Sequence, residues 1–189
     1  MTALHLGGTI GSLRAGSYNA MLMRTIQTML PDDMTLDLIA FADVPLYNQD
    51  LDGEHPPEPA QWLRDQIAAA DGLIICTLEY NYSIPGGLKN AIDWASRPPA
   101  TSALRGKPIA LFGASTGSYG TVRAQLALRQ SFLFTRSFVV NWPEVMIMRA
   151  AEQFSDGRLS DERFLENVRK SLDSFVSYLR NPQPPTALA

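Results

Sequence analysis

The sequence predicts an α/β fold in which a five-stranded parallel sheet carries helices on both faces. Stretches of strand length alternate with stretches of helical periodicity along the chain of 189 residues. One continuous apolar run, residues 72–78, is typical of a strand that is buried on both faces, as the strands of parallel sheets are. Strands that alternate with helices pair in parallel through right-handed crossovers, so the helices cover both faces of the sheet.

The first part of the chain supplies two strands and two helices. Residues 3–10 form the first predicted strand, and Leu36, Leu38 and Phe41 indicate a second strand that is half-buried. A helix is predicted after each strand, because apolar residues recur there at helical spacing: Leu22, Ile26, Met29 and Leu30, then Leu63, Ile67 and Ala70. Pro31 is expected to end the first of these helices.

The rest of the chain continues the alternation. Buried strands are predicted over residues 72–78 and 107–113, with a shorter strand at 138–140. Helices are expected over residues 120–134 and where apolar residues recur on one face: Leu88, Ile92 and Ala95, then Phe164, Val168, Leu172, Phe175 and Leu179. We therefore expect residues 1–180 to form a single domain. Residues 181–189 are expected to be a disordered tail, because their prolines cannot continue the last helix.

Composition excludes several classes of protein. Sixteen Lys and Arg against 19 Asp and Glu give a net charge of −3, whereas nucleic-acid binding needs clustered positive charge. A single cysteine, Cys76, allows no intrachain disulfide, and with two histidines it cannot build a thiolate zinc site. Because no apolar run approaches about 20 residues and the N-terminus lacks a basic signal region, we expect a cytoplasmic protein without a membrane span or a metal site.

The loop after the first predicted strand, residues 11–19, has the composition of a phosphate site. Ser12, Ser17 and Asn19 supply short polar side chains, Arg14 adds a positive charge, and a helix begins directly afterwards. Unpaired N–H groups and a partial positive charge at a helix N-terminus attract phosphate. The alternative is that Ser17 or Asn19 merely caps the helix while Arg14 is exposed. Neither of the two commonest nucleotide-binding motifs is present.

Two further loops are expected at the same edge of the sheet. Residues 79–87 place Tyr80, Asn81 and Tyr82 after a buried strand, which suits a planar heteroaromatic ligand, although the tyrosines could instead cover the sheet. Residues 113–120 are small and glycine-rich, so their backbone can approach a ligand closely. They also contain a G-x-S-x-G sequence around Ser115, which opens an esterase alternative. Both histidines precede Ser115, against the hydrolase order, so this alternative is disfavoured.

Together these motifs resemble the NADPH-dependent FMN reductase family, and within it the bacterial chromate and quinone reductases. The resemblance spans roughly residues 4–150 and rests on the following motifs: Gly11-Ser12-Leu13-Arg14 with Ser17 and Asn19; Pro45-Leu46-Tyr47-Asn48; residues 79–86 with 88–94; and Arg123-Ala124-Gln125 with Leu128-Arg129-Gln130. It implies a flavodoxin-like three-layer sandwich with bound FMN. It also implies electron transfer from NADH or NADPH to quinones, azo dyes, chromate or free flavin.

The resemblance also implies which residues bind FMN. The phosphate and ribityl chain are assigned to the first loop: Ser12, Leu13, Arg14, Ser17, Tyr18 and Asn19. The ring is assigned to the other two loops: Glu79, Tyr80, Asn81, Tyr82, Ser115 and Gly117. Two residues depart from the family pattern, since Leu78 stands where many relatives have proline and Thr121 replaces a frequent glycine.

No catalytic side chain is expected, because a flavin carries the hydride chemistry while the protein positions it. We expect nicotinamide and acceptor to use one face of the ring in turn, which gives ping-pong kinetics. The alternative is a non-enzymatic electron carrier of the same fold. The helix over residues 120–134 is apolar on more than one face, which indicates burial by another subunit. The resemblance likewise implies a homodimer or homotetramer.

Overall fold

A computed structural model describes residues 3–140 and 142–182, and these contain the predicted alternation of strands and helices. The strands of the main sheet are β1 (Leu4–Ile10), β2 (Met34–Leu38), β3 (Gly72–Thr77), β4 (Pro108–Ala114), β5 (Phe138–Val139) and β6 (Val145–Ile147). A small hairpin consists of β7 (Phe154–Ser155) and β8 (Arg158–Leu159). The helices are α1 (Tyr18–Gln27), α2 (Glu58–Ala69), α3 (Gly86–Ala95), α4 (Val122–Thr135), α5 (Ala150–Gln153) and α6 (Glu162–Arg180). The predicted disordered tail lies outside the described residues, apart from its first two positions.

The main sheet is parallel, with the strand order β2-β1-β3-β4-β5. This order is that of flavodoxin-like proteins, so the predicted fold class is confirmed. β6 also pairs with β4: β5 lies beside Pro108 and Ile109, while β6 lies beside residues 112–114. The fifth position of the sheet is therefore shared by two short strands, of which the sequence predicted only the first.

The helices cover both faces of the sheet, as predicted. On one face, Leu22 of α1 and Phe175 of α6 are fully buried in one apolar cluster. On the other face, Leu63 of α2, Trp94 of α3 and Phe132 of α4 lie in a second cluster. Every residue of β3 is buried between them, as its continuous apolar run predicted. Burial of one large apolar side chain contributes about 1.5–3 kcal/mol, so these two clusters stabilise the fold.

Some predicted boundaries were wrong for local reasons. α1 ends at Gln27 rather than near Leu30, because the backbone then tightens into i→i−3 turns, in which the N–H of Met29 donates to the carbonyl oxygen of Ile26 at 2.9 Å. Phe41 lies beyond β2 and packs from a loop into the second apolar cluster. The sequence did not predict the hairpin of β7 and β8, because strands of two residues are too short to show alternating hydrophobicity. Its turn, Asp156 and Gly157 with φ of 49° and 75°, is nevertheless a common hairpin signal.

The register of the sheet brings the three unusual loops to one edge. Ile10 of β1 lies opposite Cys76 of β3, and Thr77 of β3 lies opposite Gly113 of β4. The three strands therefore end at nearly the same level, and the loops that follow them start side by side. In open parallel sheets, ligands bind at this carboxyl edge.

Candidate active site

The loops after β1, β3 and β4 enclose a cleft of about 340 Å³. Most of the residues predicted to bind a cofactor line it: Ser12, Arg14, Ser17, Tyr18, Asn19, Glu79, Tyr80 and Ser115. Leu78, Ala114 and Thr116 complete the lining and were not among the predicted residues. Leu78, where the chain departs from the family pattern, is thus part of the cleft wall.

The first loop places the N-terminus of α1 at this cleft. Ser17 is the N-cap of α1, and its hydroxyl accepts a hydrogen bond from the backbone N–H of Ala20 at 3.3 Å. The capping interpretation of Ser17 is therefore right, but it does not oppose anion binding. A helix end still offers its other first-turn N–H groups. Arg14 is exposed beside them, with its guanidinium carbon 5.7 Å from the centre of the Tyr18 ring.

Asn19 joins the first loop to the third. Its side-chain amide is buried, donates to the carbonyl oxygen of Ala114 at 2.9 Å and accepts from the N–H of Ala114 at 2.9 Å. The nitrogen and the oxygen of this amide both form hydrogen bonds with the backbone of β4. Asn19 therefore fixes the start of α1 against the end of that strand. Through these contacts, Asn19 positions the first loop relative to the third.

The second loop forms a tight hairpin that exposes its tyrosines. Tyr80 and Ser83 exchange two backbone hydrogen bonds of 3.0 and 2.9 Å around Asn81 and Tyr82. Both central residues have positive φ, 50° and 64°, as a type I′ turn requires. This backbone is strained for tyrosine and needs support from its surroundings. Tyr80 and Tyr82 are 57% and 72% exposed, so they do not cover the end of the sheet.

Glu79 ties the second loop to α4. Its carboxylate accepts from the backbone N–H groups of Arg123 at 2.9 Å and Ala124 at 3.3 Å. The N-cap residue of α4, Thr121, makes no side-chain capping bond, so Glu79 takes over that role from another loop. The negative charge also suits the positive end of the helix. Glu79 therefore positions the cleft wall.

Arg123 supports the strained hairpin from α4. Its guanidinium lies 3.1 Å from a carboxylate oxygen of Glu79 and 4.0 Å from the centre of the Tyr82 ring. It also lies 5.0 Å from the centre of the Tyr119 ring in the third loop. One guanidinium thus holds the second and third loops together through an ion pair and two cation–π contacts. The sequence marked Arg123 as part of a motif, but its pattern gave no signal for these partners.

The remaining predicted residues lie beside the cleft. Leu13 is exposed and lines a separate groove with Leu38 and Phe41. Asn81 and Tyr82 form the hairpin turn, as described above. Gly117 donates its N–H to the Ser115 hydroxyl at 3.2 Å. These four residues border the site, and the structure does not bring them into the cleft lining.

Ser115 has no hydrolase partner. The bond that its hydroxyl accepts comes from Gly117 in the same loop. His5 stands in β1, near the opposite edge of the sheet, with its Nε2 3.0 Å from Asp37, and His55 is exposed in the loop before α2. Without a histidine to accept its proton, Ser115 cannot act as the nucleophile of a catalytic triad. The G-x-S-x-G sequence serves here as a tight turn after β4.

Two other motifs of the sequence meet away from the cleft. The carbonyl oxygen of Pro45 accepts from the Trp94 indole and from the Asn90 amide, both at 2.8 Å. Asn90 also accepts from the N–H of Tyr47 at 2.8 Å. These bonds fasten the loop of residues 45–48 to α3 while Leu46 remains exposed. The pattern is that of a rigid surface loop.

The described residues, 3–140 and 142–182, hold no group of three or more His, Cys, Asp and Glu side chains suited to a metal ion. Cys76 is fully buried in β3, and burial raises the pKa of its thiol well above the ordinary value, which keeps it unreactive. Among the helices of the same ranges, none is long and apolar enough to cross a bilayer.

Comparison with known proteins defines the class. The sequence profile of the NADPH-dependent FMN reductase family matches residues 5–152. An NAD(P)H-dependent FMN reductase of Pseudomonas aeruginosa is 44% identical over 174 residues, which is 92% of this chain and 94% of that protein. A 2-hydroxy-1,4-benzoquinone reductase of a Burkholderia species is 38% identical over 180 residues, or 95% of this chain and 98% of that protein.

A solved structure agrees with these relatives. The flavoenzyme FerB of Paracoccus denitrificans, an NAD(P)H:(acceptor) oxidoreductase, aligns with a TM-score of 0.86 at 34% identity, covering 94% of this chain and 97% of that one. The chain therefore belongs to the NADPH-dependent FMN reductase family. It is a flavodoxin-like oxidoreductase that uses FMN as cofactor and NAD(P)H as co-substrate, as the motifs predicted.

Proposed function

We propose that this protein passes electrons from NADH or NADPH through FMN to quinones. The observation that carries the proposal is the meeting of three loops in one cleft, with an anion site at α1 and exposed tyrosines on the loop after β3. A Burkholderia relative is named for a benzoquinone, which supports a quinone as the acceptor. Azo dyes, chromate and free flavin remain further acceptors to test.

The cleft fits FMN in its charge and in its surfaces. Arg14 and the first-turn N–H groups of α1 suit a phosphate dianion. Ser12 and Tyr18 line the same cleft and are proposed to bind the ribityl chain, and the exposed ring of Tyr80 suits a flat isoalloxazine. When bound, FMN supplies the hydride-accepting ring. Asn19, Glu79 and Arg123 hold the loops that shape its site.

The protein's own part in the reaction is to orient the cofactor and the substrates and to shield them from water. Among the residues that line the cleft, no hydroxyl is paired with a histidine, so a covalent intermediate on a side chain is not part of the proposal. Backbone N–H groups that are fixed in place can stabilise negative charge without reorganising during the reaction, and we expect the cleft walls to contribute in this way. The tyrosines of the hairpin restrict which planar molecules can approach.

Steady-state kinetics test this proposal. If one exposed face serves both NAD(P)H and the quinone, the two must bind in turn. Double-reciprocal plots against NADPH at several fixed quinone concentrations are then parallel, and excess quinone competes with NADPH. Lines that intersect would mean a ternary complex with two pockets, and the shared-face proposal would be wrong.

We also propose that residues 1–180 act as one FMN-binding domain that works in the cytoplasm as a homodimer or homotetramer. Large apolar side chains on α4 support the oligomer, because Leu126, Leu133 and Phe134 are 54%, 80% and 65% exposed in a single chain. Several large apolar side chains exposed on one helix commonly mark a protein interface. In analytical ultracentrifugation the protein is expected to sediment as a dimer or larger, and Leu133→Glu to shift it toward monomer. A monomer at all concentrations would contradict this.

A further inference from the structure

A second cleft, of about 390 Å³, lies between the segment after β6 and the first turn of α6. Its lining combines two arginines with apolar and polar side chains: Arg149, Arg163, Met148, Phe164, Glu152 and Asn167. None of these residues lines the flavin cleft. The proposed binding site of FMN, both its phosphate and its ring, lies in the three loops. FMN therefore does not occupy the second cleft.

Backbone hydrogen bonds join the segments that line the two clefts. The N–H of Arg149 donates to the carbonyl oxygen of Gly117 at 3.0 Å, and the N–H of Ala150 donates to that of Ser115 at 3.0 Å. The loop after β4, which lines the flavin cleft, is therefore bonded directly to the segment that lines the second cleft. A ring contact links them again, since Tyr18 of the flavin cleft lies 5.4 Å from Phe154, beside the second cleft.

The side chains of the second cleft suit a nucleoside phosphate. Guanidinium groups bind phosphate through paired hydrogen bonds, and both Arg149 and Arg163 are exposed. Arg163 contacts Asp161 only loosely, at 3.3 Å, and its side chain is 83% exposed, so it is free to turn toward an anion. Phe164 offers an aromatic surface to a purine, while Glu152 and Asn167 can bond ribose hydroxyls or a purine amino group.

We propose that the second cleft binds the adenosine half of NAD(P)H, with Arg149 and Arg163 facing its phosphates. The inference rests on the use of NAD(P)H by this protein and adds the place where the distal half of that molecule is held. Arg149 is itself in the left-handed region, with φ of 47°, which is an uncommon backbone state for arginine. Its N–H bond to Gly117 maintains that state and directs the residue to the cleft next to the flavin loop.

Calorimetry with the FMN-loaded protein and 2′,5′-ADP as the probe tests this directly. We expect the probe to bind wild-type protein and to compete with NADPH. The variant Arg149→Gln with Arg163→Gln should weaken binding about tenfold or more, the loss typical of charge-assisted hydrogen bonds. The matched control is Arg169→Gln, which alters an exposed arginine of α6 outside both clefts. Equal affinity in the double variant and the wild type would overturn the proposal.

Kinetics of the same proteins give a second readout. The double variant should raise the KM for NADPH more than that for NADH, while the KM for quinone and the affinity for FMN stay unchanged. Phe164→Leu, which keeps an apolar side chain, should raise both nicotinamide KM values alike. Unchanged nicotinamide KM values in all variants would overturn the assignment. If wild-type protein failed to reduce quinones, the acceptor proposal would be wrong, but the binding measurement would still decide this one.

Discussion

Replacing Arg14 by alanine is expected to weaken FMN binding roughly 10- to 100-fold and to leave riboflavin binding nearly unchanged. Arg14 stands exposed beside the N-terminus of α1, whose partial positive charge adds to that of the guanidinium. A hydrogen bond to a charged group contributes about 1.5–3 kcal/mol, which corresponds to that range of affinity. Riboflavin lacks the phosphate and gains nothing from the guanidinium.

Fluorescence titration of apoprotein with each flavin measures the two affinities. Arg105→Ala is a suitable control, since Arg105 is also exposed but precedes β4, at the opposite edge of the sheet. Equal losses for FMN and riboflavin would show that Arg14 supports the loop rather than the phosphate. An effect of Arg105→Ala as large as that of Arg14→Ala would point to long-range charge alone.

Gly113→Ala is expected to cost about 1–3 kcal/mol of unfolding free energy, the range for overpacking a close-packed interior. Gly113 is the penultimate residue of β4 and lies against the fully buried side chain of Thr121. A Cβ built on Gly113 would overlap the Thr121 hydroxyl and lie 2.8 Å from its Cβ and 2.9 Å from its Cγ2. Since Thr121 is β-branched and packed on all sides, it cannot turn away.

A double-mutant cycle isolates this contact. Thr121→Gly, which installs the glycine frequent in the family, should remove the overlap and make Gly113→Ala much less costly. Urea unfolding of the wild type, both single variants and the double variant gives the coupling free energy. Additive costs would mean that the two residues do not share this space. In the structure, the side chain of Thr121 fills the space next to Gly113 at the base of the third loop.

The position of the candidate site could be predicted because the sequence shows where each buried strand ends. A buried apolar run followed by glycine, serine or tyrosine marks where a strand stops, and parallel strands bring such stops to one edge. For that reason the loops predicted over residues 11–19, 79–87 and 113–120 could be grouped into one site before any coordinates were known. The helix N-terminus at the cleft was predictable from Ser17 and the periodic residues that follow it, and phosphate binding there stays a prediction.

The support of the loops could not be predicted in the same way. Asn19 and Ala114 bond across 95 positions of sequence, and Glu79 reaches Arg123 across 44. Neither pair has a periodic pattern, because each depends on how α1 and α4 lie against the sheet. Asn19 and Glu79 position the cleft walls through these bonds, and their predicted contact with the cofactor stays a prediction. β6 escaped prediction for a related reason, since three residues beside β4 are too few to show a period.

Anaerobic titration of the FMN-loaded protein with NADPH tests the central claim most directly. Hydride transfer from the co-substrate is expected to remove the visible absorbance of the flavin with one equivalent of NADPH. Addition of a quinone should then restore the absorbance. If neither NADPH nor NADH changed the absorbance of the bound flavin, the protein would be an electron carrier, and the account of its cleft as a reductase site would be contradicted.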